Sequence, residues 1–216
     1  MDNKEKIARR AAKFLKDGEL VNLGIGIPTL VGNFVDPDTE VLLQSENGFI
    51  GLGPAPEPGK EEKDVVNAGG HPVTMVTGGA CFDSNMSFAL IRGGHVTTTM
   101  LGAFEVDEEG NIANWMIPGK KVPGMGGAMD LLVGAKTVII TMEHTTKDGE
   151  PRILKRCTLP LTAKNVVDYV VTELCVLHFT DEGLVLEEVA EGVTVEEVVA
   201  KTEAKLIIPE EVKVMM

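Results

Sequence analysis

Apolar positions along the chain switch between helical and strand periods. From Asp2 to Asp17, Ile7, Ala11, Phe14 and Leu15 share one helical face. Asp2 and Glu5 have capping-box spacing, and Gly18 suits the stop. Leu20 to Leu23 reads as a short strand that runs into Gly24-Ile25-Gly26-Ile27-Pro28, where Pro28 suits the start of a helix. Glu40 to Gln44 reads as a second strand and leads into Ser45-Glu46-Asn47-Gly48, with Asn47-Gly48 as the bend. Strands are expected at Val73 to Val76, His95 to Leu101 and Lys136 to Met142, with a helix from Ser84 to Arg92 stopped by Gly93-Gly94. Glu108 to Asn111 is a turn between two strands. Cys175 to Phe179 and Leu184 to Glu188 form a hairpin pair, and a last helix starts at Thr194 with Glu197 in capping position. Without repeat or linker, this alternation predicts a single α/β domain over residues 1–216, a mixed, largely parallel sheet flanked by helices.

Composition narrows the class. Hydrophobic residues make up 44% but aromatics only 4%, so Val, Leu, Ile, Ala and Met must build the core. The net charge of −13 disfavours nucleic acid and anionic membranes as partners. Cys81, Cys157 and Cys175 are widely spaced, form no metal-ligand pattern and read as buried thiols in a reducing cytoplasm. No apolar run approaches the ~20 residues of a membrane span.

Three polar or glycine-rich segments follow expected strands, where α/β sheets place their ligands. "NLGIGIPT", Asn22 to Thr29, is not a dinucleotide fingerprint, because Pro28 and Thr29 break the GxGxxG spacing. Its glycines suit either tight packing or backbone N–H donation to an anion. "SENG" places Glu46 at a strand-end turn, where it is either an ordinary solvated residue or a carboxylate held on a rigid base. "PGMGGAMD", Pro123 to Asp130, is either a flexible loop entering a helix or a set of donors at Gly127 and Ala128.

Together these segments carry a resemblance. "VNLGIGIP", "QSENG", "GLGP", "SFALIRGGHV", "LGAFEVDEEGNIANWMIPGK", "GMGGAMDL", "TMEHTTKDG" and "KRCTLPLT" occur in the order of the β subunit of class I (3-oxoacid type) coenzyme A transferases and span nearly the whole chain. The resemblance implies the CoA-transferase fold, no permanently bound cofactor or metal, and a coenzyme A thioester as substrate. It implies Glu46 as nucleophile, Asn22 as a side-chain donor to the transition state, and the Gly127-Ala128 backbone as oxyanion site. Gly24, Gly26 and Gly126 follow as CoA or substrate-loop positions. It also implies an α subunit, an α2β2 assembly and a site between the two chains. Short acids such as acetoacetate, butyrate or acetate are the expected substrates. An acyl-CoA hydrolase and a non-catalytic ligand-binding module are the alternatives.

The chain departs from some family members at "NAGG", where Gly70 replaces a lysine. That departure favours monocarboxylates over succinate. Lys120-Lys121 and Arg152, Lys155 and Arg156 are the local basic candidates for polyanionic CoA, with solvated surface charge as the plainer reading. None of the four histidines is needed as a base.

Overall fold

Helix α1 (Asn3–Ala12) starts where Asp2 accepts a hydrogen bond from the Glu5 N–H at 2.8 Å. It ends earlier than the sequence period suggests. The N–H groups of Lys13, Phe14 and Leu15 donate three residues back, to Arg10, Ala11 and Ala12. This tighter winding turns Leu15 into the core, and Gly18 (φ +77°) serves the turn into the first strand instead of the helix stop.

The structure, a computed structural model, describes residues 1–120, 122 and 124–215. In chain order the strands are β1 (Leu20–Leu23), β2 (Leu42–Ser45), β3 (Phe49–Leu52), β4 (Met75–Cys81), β5 (Thr98–Leu101), β6 (Glu105–Asp107), β7 (Ile112–Ala113), β8 (Thr137–Thr141), β9 (Ile153–Leu154), β10 (Tyr169–Val171), β11 (Cys175–Thr180), β12 (Gly183–Val189), β13 (Leu206–Ile207) and β14 (Lys213–Val214). After α1 come α2 (Ile27–Val31), α3 (Ser84–Arg92), α4 (Ala128–Gly134) and α5 (Val195–Ala200).

Among the described residues, eleven strands form the main sheet in the order β13-β12-β11-β10-β8-β5-β1-β2-β3-β4, with β14 also on β12. Its centre, β10 through β2, is parallel; β3, β4 and β11 join antiparallel. The mixed, largely parallel α/β sheet read from the sequence is therefore the observed one. A small sheet of β7, β6 and β9 lies apart.

Register divides the sheet into two faces. Val21, Met100 and Ile139 pack beneath α1 and α2 with Ile7, Ala11 and Val31. Leu101, Val138 and Ile140 pack beneath α3 and α4 with Ile91, Leu131 and Leu132. Each such buried aliphatic side chain contributes about 1.5–3 kcal/mol of transfer free energy. Gln44, Asn22 and Thr99 stand side by side in one row across β2, β1 and β5. That row shares the α3/α4 face with Val138, so three polar side chains are buried under helices on the same side as the second core.

Two expectations shift. The strand expected at Val73 to Val76 is β4, displaced to Met75–Cys81, because Thr74 is drawn back to Pro54 and Gly53 by backbone hydrogen bonds. β3, which the sequence pattern does not mark, crosses β4 at a pair of glycines. Gly51 (φ +92°) faces Gly79 so closely that an added Cβ would lie 2.8 Å from the Gly79 Cα. β4 is a sheet edge, so Cys81 is exposed, not buried; Cys157 is half-buried and Cys175 buried.

Candidate active site

Ser45 accepts a hydrogen bond from the Gly48 N–H at 3.0 Å through its carbonyl, so the turn runs from Ser45 to Gly48. Glu46 and Asn47 occupy its centre, and Gly48 leaves it at φ +131°. This three-residue connection of β2 to β3 corrects the expected Asn47-Gly48 bend by one position. An added Cβ at Gly48 would meet the Phe82 carbonyl oxygen at 2.3 Å, so only glycine fits the exit. Glu46 therefore sits at the apex of a turn that follows a parallel strand whose last two residues, Gln44 and Ser45, are buried.

The turn is braced from outside. Asn47 Nδ2 donates to the Val66 carbonyl at 2.7 Å, and Ser45 Oγ accepts from the Ala68 N–H at 3.1 Å. Both bonds tie down the Val65–Val73 loop, which carries Gly70.

Asn22, on β1 and fully buried, points its amide at Glu46: Nδ2 lies 3.4 Å from Oε2. The same Nδ2 is 2.7 Å from Gln44 Oε1 and 3.3 Å from the Gln44 carbonyl. Across the crevice, α4 begins at Gly127. A Cβ added there would lie 3.4 Å from Glu46 Cγ and 3.2 Å from Phe88 Cζ, so the bare backbone of Gly127 abuts the glutamate. The structure thus brings together Asn22, Glu46 and Gly127, from three separate parts of the chain.

The remaining expected positions separate. Ala128 N–H donates to the Met125 carbonyl at 3.1 Å, so it is already engaged within the loop. Gly24 donates to Met100, its carbonyl accepts from Thr29, and an added Cβ would press on Leu101 Cδ2 at 2.8 Å, so Gly24 serves strand packing. Gly26 (φ +95°) and Gly126 (φ +53°) are exposed with open space around them. Pro123 and Lys121 lie outside the described residues. Arg152 is not available to a phosphate: its guanidinium donates to the carbonyls of Ala103, Phe104 and Glu143. It lines a cavity of about 310 Å³ with Glu105, Glu143 and Lys147, away from Glu46. Lys155 and Arg156 are exposed. Among the described residues, no three His, Cys, Asp or Glu side chains converge on a metal-sized centre.

Sequence reasoning missed two residues of this neighbourhood. Gln44 and Ser87 are buried polar residues in contact with each other at 2.9 Å. The available signal was the polar Gln44 inside an otherwise apolar run.

Residues 4–201 match the family model described as Coenzyme A transferase. The chain belongs to this coenzyme A transferase family. It is 56% identical over 205 residues to the acetate CoA-transferase subunit beta of Escherichia coli K12, covering 95% of this chain and 94% of that one. It is 49% identical over 215 residues to the mitochondrial succinyl-CoA:3-ketoacid coenzyme A transferase 2B of Mus musculus, covering 99% of this chain and 41% of that protein. The acyl-CoA transferase apoenzyme of Escherichia coli O157:H7 superposes with TM-score 0.80 at 24% identity, over 100% of this chain and 43% of that chain. The chain thus spans about two-fifths of the length of these last two proteins. The fold and the CoA-transferase class read from the motifs agree with these relatives, whose names lend no support to a hydrolase or a binding module.

Proposed function

We propose that residues 1–216 form the β-subunit domain of a CoA-transferase that moves CoA between a short-chain acyl-CoA and a carboxylic acid, with Glu46 as nucleophile. The observation that carries this reading is the placement of the Glu46 side chain, with its carboxylate 3.4 Å from the Asn22 amide and its Cγ against the side-chain-free backbone of Gly127.

Glu46 attacks the thioester carbonyl, the C–S bond breaks, and CoA leaves as thiolate from an acyl–glutamyl anhydride. The thiolate then attacks the Glu46 carbonyl, releasing the first acid and forming a glutamyl–CoA thioester. The second acid runs both steps backwards. A carboxylate displacing a thiolate faces a gap of about 4 pKa units, roughly 6 kcal/mol. One oxyanion donor supplies ~2.7–4 kcal/mol, so two donors, Asn22 Nδ2 and Gly127 N–H, suffice to close it. CoA enters as substrate, and the reaction consumes no water.

Apolar side chains in segments that flank Glu46 stand in solvent: Ile25, just after β1, is 68% exposed, and Met86, in the first turn of α3, 52%. Together with relatives that are named subunit beta or carry this region within a longer chain, they support an α subunit as cover. The proposed assembly is α2β2. Three free cysteines suit the reducing cytoplasm, and no helix among the described residues is long and apolar enough to cross a membrane.

The test is trapping. The chain is co-assembled with its α subunit, given acyl-CoA without acceptor, and treated with borohydride. Reduction mapped to Glu46, with the first acid released, is the expected result. Intact acyl-CoA with unmodified Glu46 overturns the reading.

A further inference from the structure

Behind Asn22 lies a buried polar chain that the transfer chemistry does not itself require. Asn22 and Ser87 are 0% exposed, and Gln44 is 2% exposed. Asn22 Nδ2 donates to Gln44 Oε1 at 2.7 Å, and Gln44 Nε2 donates to Ser87 Oγ at 2.9 Å. Ser87 belongs to α3, so the chain links a helix to the nucleophile's turn through two strands.

The polarity of this chain follows from the charge at its end. An ionised carboxylate only accepts, so the Asn22 atom facing Glu46 is the NH2 group. The Gln44 atom facing that NH2 must then be the oxygen, and its amide nitrogen is turned towards Ser87. The short contact is the one behind: 2.7 Å to Gln44 against 3.4 Å to Glu46. The amide is thus held by Gln44 and only loosely by the nucleophile. It can shift its donation from the Glu46 carboxylate to the oxygen developing on the thioester carbon without leaving its place.

We propose that Gln44 and Ser87 are positioning residues: together they fix the orientation of the Asn22 amide that serves the reaction at Glu46. This rests on the reading of Glu46 as nucleophile.

The test uses the enzyme assembled with its α subunit and measures two quantities, the rate of glutamyl–CoA thioester formation and the KM for acyl-CoA. Gln44→Met keeps the volume and removes both hydrogen bonds. The expected result is a fall in kcat of roughly 10- to 100-fold with KM within about twofold, the scale of a misplaced donor. In an Asn22→Ala background the same substitution should change kcat by less than about threefold, because nothing remains to be positioned. Ser87→Ala, which removes only a hydroxyl, should act in the same direction with a loss of about 3- to 10-fold, and it serves if Gln44→Met fails to assemble. Full multiplicative losses in both backgrounds, or a rise in KM at unchanged kcat, would overturn the positioning role. If the unsubstituted enzyme forms no thioester at Glu46, the proposed function fails instead. The two failures are therefore distinguishable.

Discussion

Asn22 and Glu46 are 24 residues apart and meet at 3.4 Å, Nδ2 to Oε2, because β1 and β2 pair in parallel with Asn22 beside Gln44. The turn after β2 then carries Glu46 past the end of the row, on the same face. Removal of this donor should reduce catalysis with little effect on binding. Asn22→Ala is expected to lower kcat by about 10²–10³. Asn22→Asp should be worse, since it buries a second negative charge against Glu46. Stopped-flow release of CoA thiol and steady-state KM measure both quantities.

Gly127 and Phe88 together form the opposite wall. Gly127 has φ −84°, so its backbone accepts any residue and only its neighbours object. A Cβ would stand 3.2 Å from the Phe88 ring and 3.4 Å from Glu46 Cγ. Gly127→Ala should therefore lower kcat about tenfold, through pressure on the Phe88 ring that shifts the wall beside Glu46, with a loss of stability of about 1 kcal/mol. Phe88→Leu in the same chain opens space and should restore part of the rate. The pair of kcat values, with melting temperatures, checks this.

His144 predicts an acid-sensitive stability. Its ring is fully buried between Thr172 (3.0 Å from Nδ1) and Thr202 (2.9 Å from Nε2), with Cys175 Sγ 3.6 Å from Nδ1. Thr202 donates to the Val198 carbonyl, so it accepts from Nε2–H, and Nδ1 is left as acceptor for the Thr172 hydroxyl. Burial, followed by the nearby charge of Lys201, holds the imidazole down to about 4. Glu173 also lies near, accepting from the His144 backbone N–H. The folded-state value lies below the ordinary 6.5, so the unfolded chain takes up the proton first. The stabilisation is complete above about pH 6.5 and declines as pH falls towards 4, by up to about 3 kcal/mol. Urea unfolding at several pH values should show this slope, and His144→Asn should flatten it whatever it does to stability at pH 8.

Much of this fold is legible in the chain because its local signals agree with one another. Asp2, Asp83 and Thr194 each cap a helix by accepting from the N–H three residues on, and Leu20–Leu23 alternates no polar residue except Asn22. What stayed hidden is what neighbours decide. Gly51 and Gly79 look like loop residues, yet they are the close crossing of β3 and β4. Cys81 looks like core and lies at a sheet edge. Gln44 reads only as the end of a strand and is held between Asn22 and Ser87, which are 22 and 43 positions away. The proposal that Glu46 is the reactive carboxylate draws on the whole motif set, since its turn alone has ordinary chemistry.

The last prediction concerns the acceptor. Gly70 lies in a turn whose backbone is fixed on both sides: Gly70 N–H donates to Asn67 O at 2.9 Å, and Asn67 Oδ1 accepts from Gly69 and His71. That turn is tied to Ser45 and Asn47, the neighbours of Glu46. A lysine at position 70 would have space, as nothing lies within 4 Å of an added Cβ. It would not have an easy backbone, because φ is +75° and an L side chain there costs about 1–2 kcal/mol. With no cation offered at this position, a dicarboxylate's second charge gains no partner here. Acetate, butyrate or acetoacetate should therefore exceed succinate as acceptor by about tenfold or more in kcat/KM, the scale of one desolvated charge left unpaired. Gly70→Lys should narrow the ratio by up to about fivefold, the value of a partly exposed ion pair. Acceptor competition with the assembled enzyme measures both, and a wild-type preference for succinate would exclude the assignment.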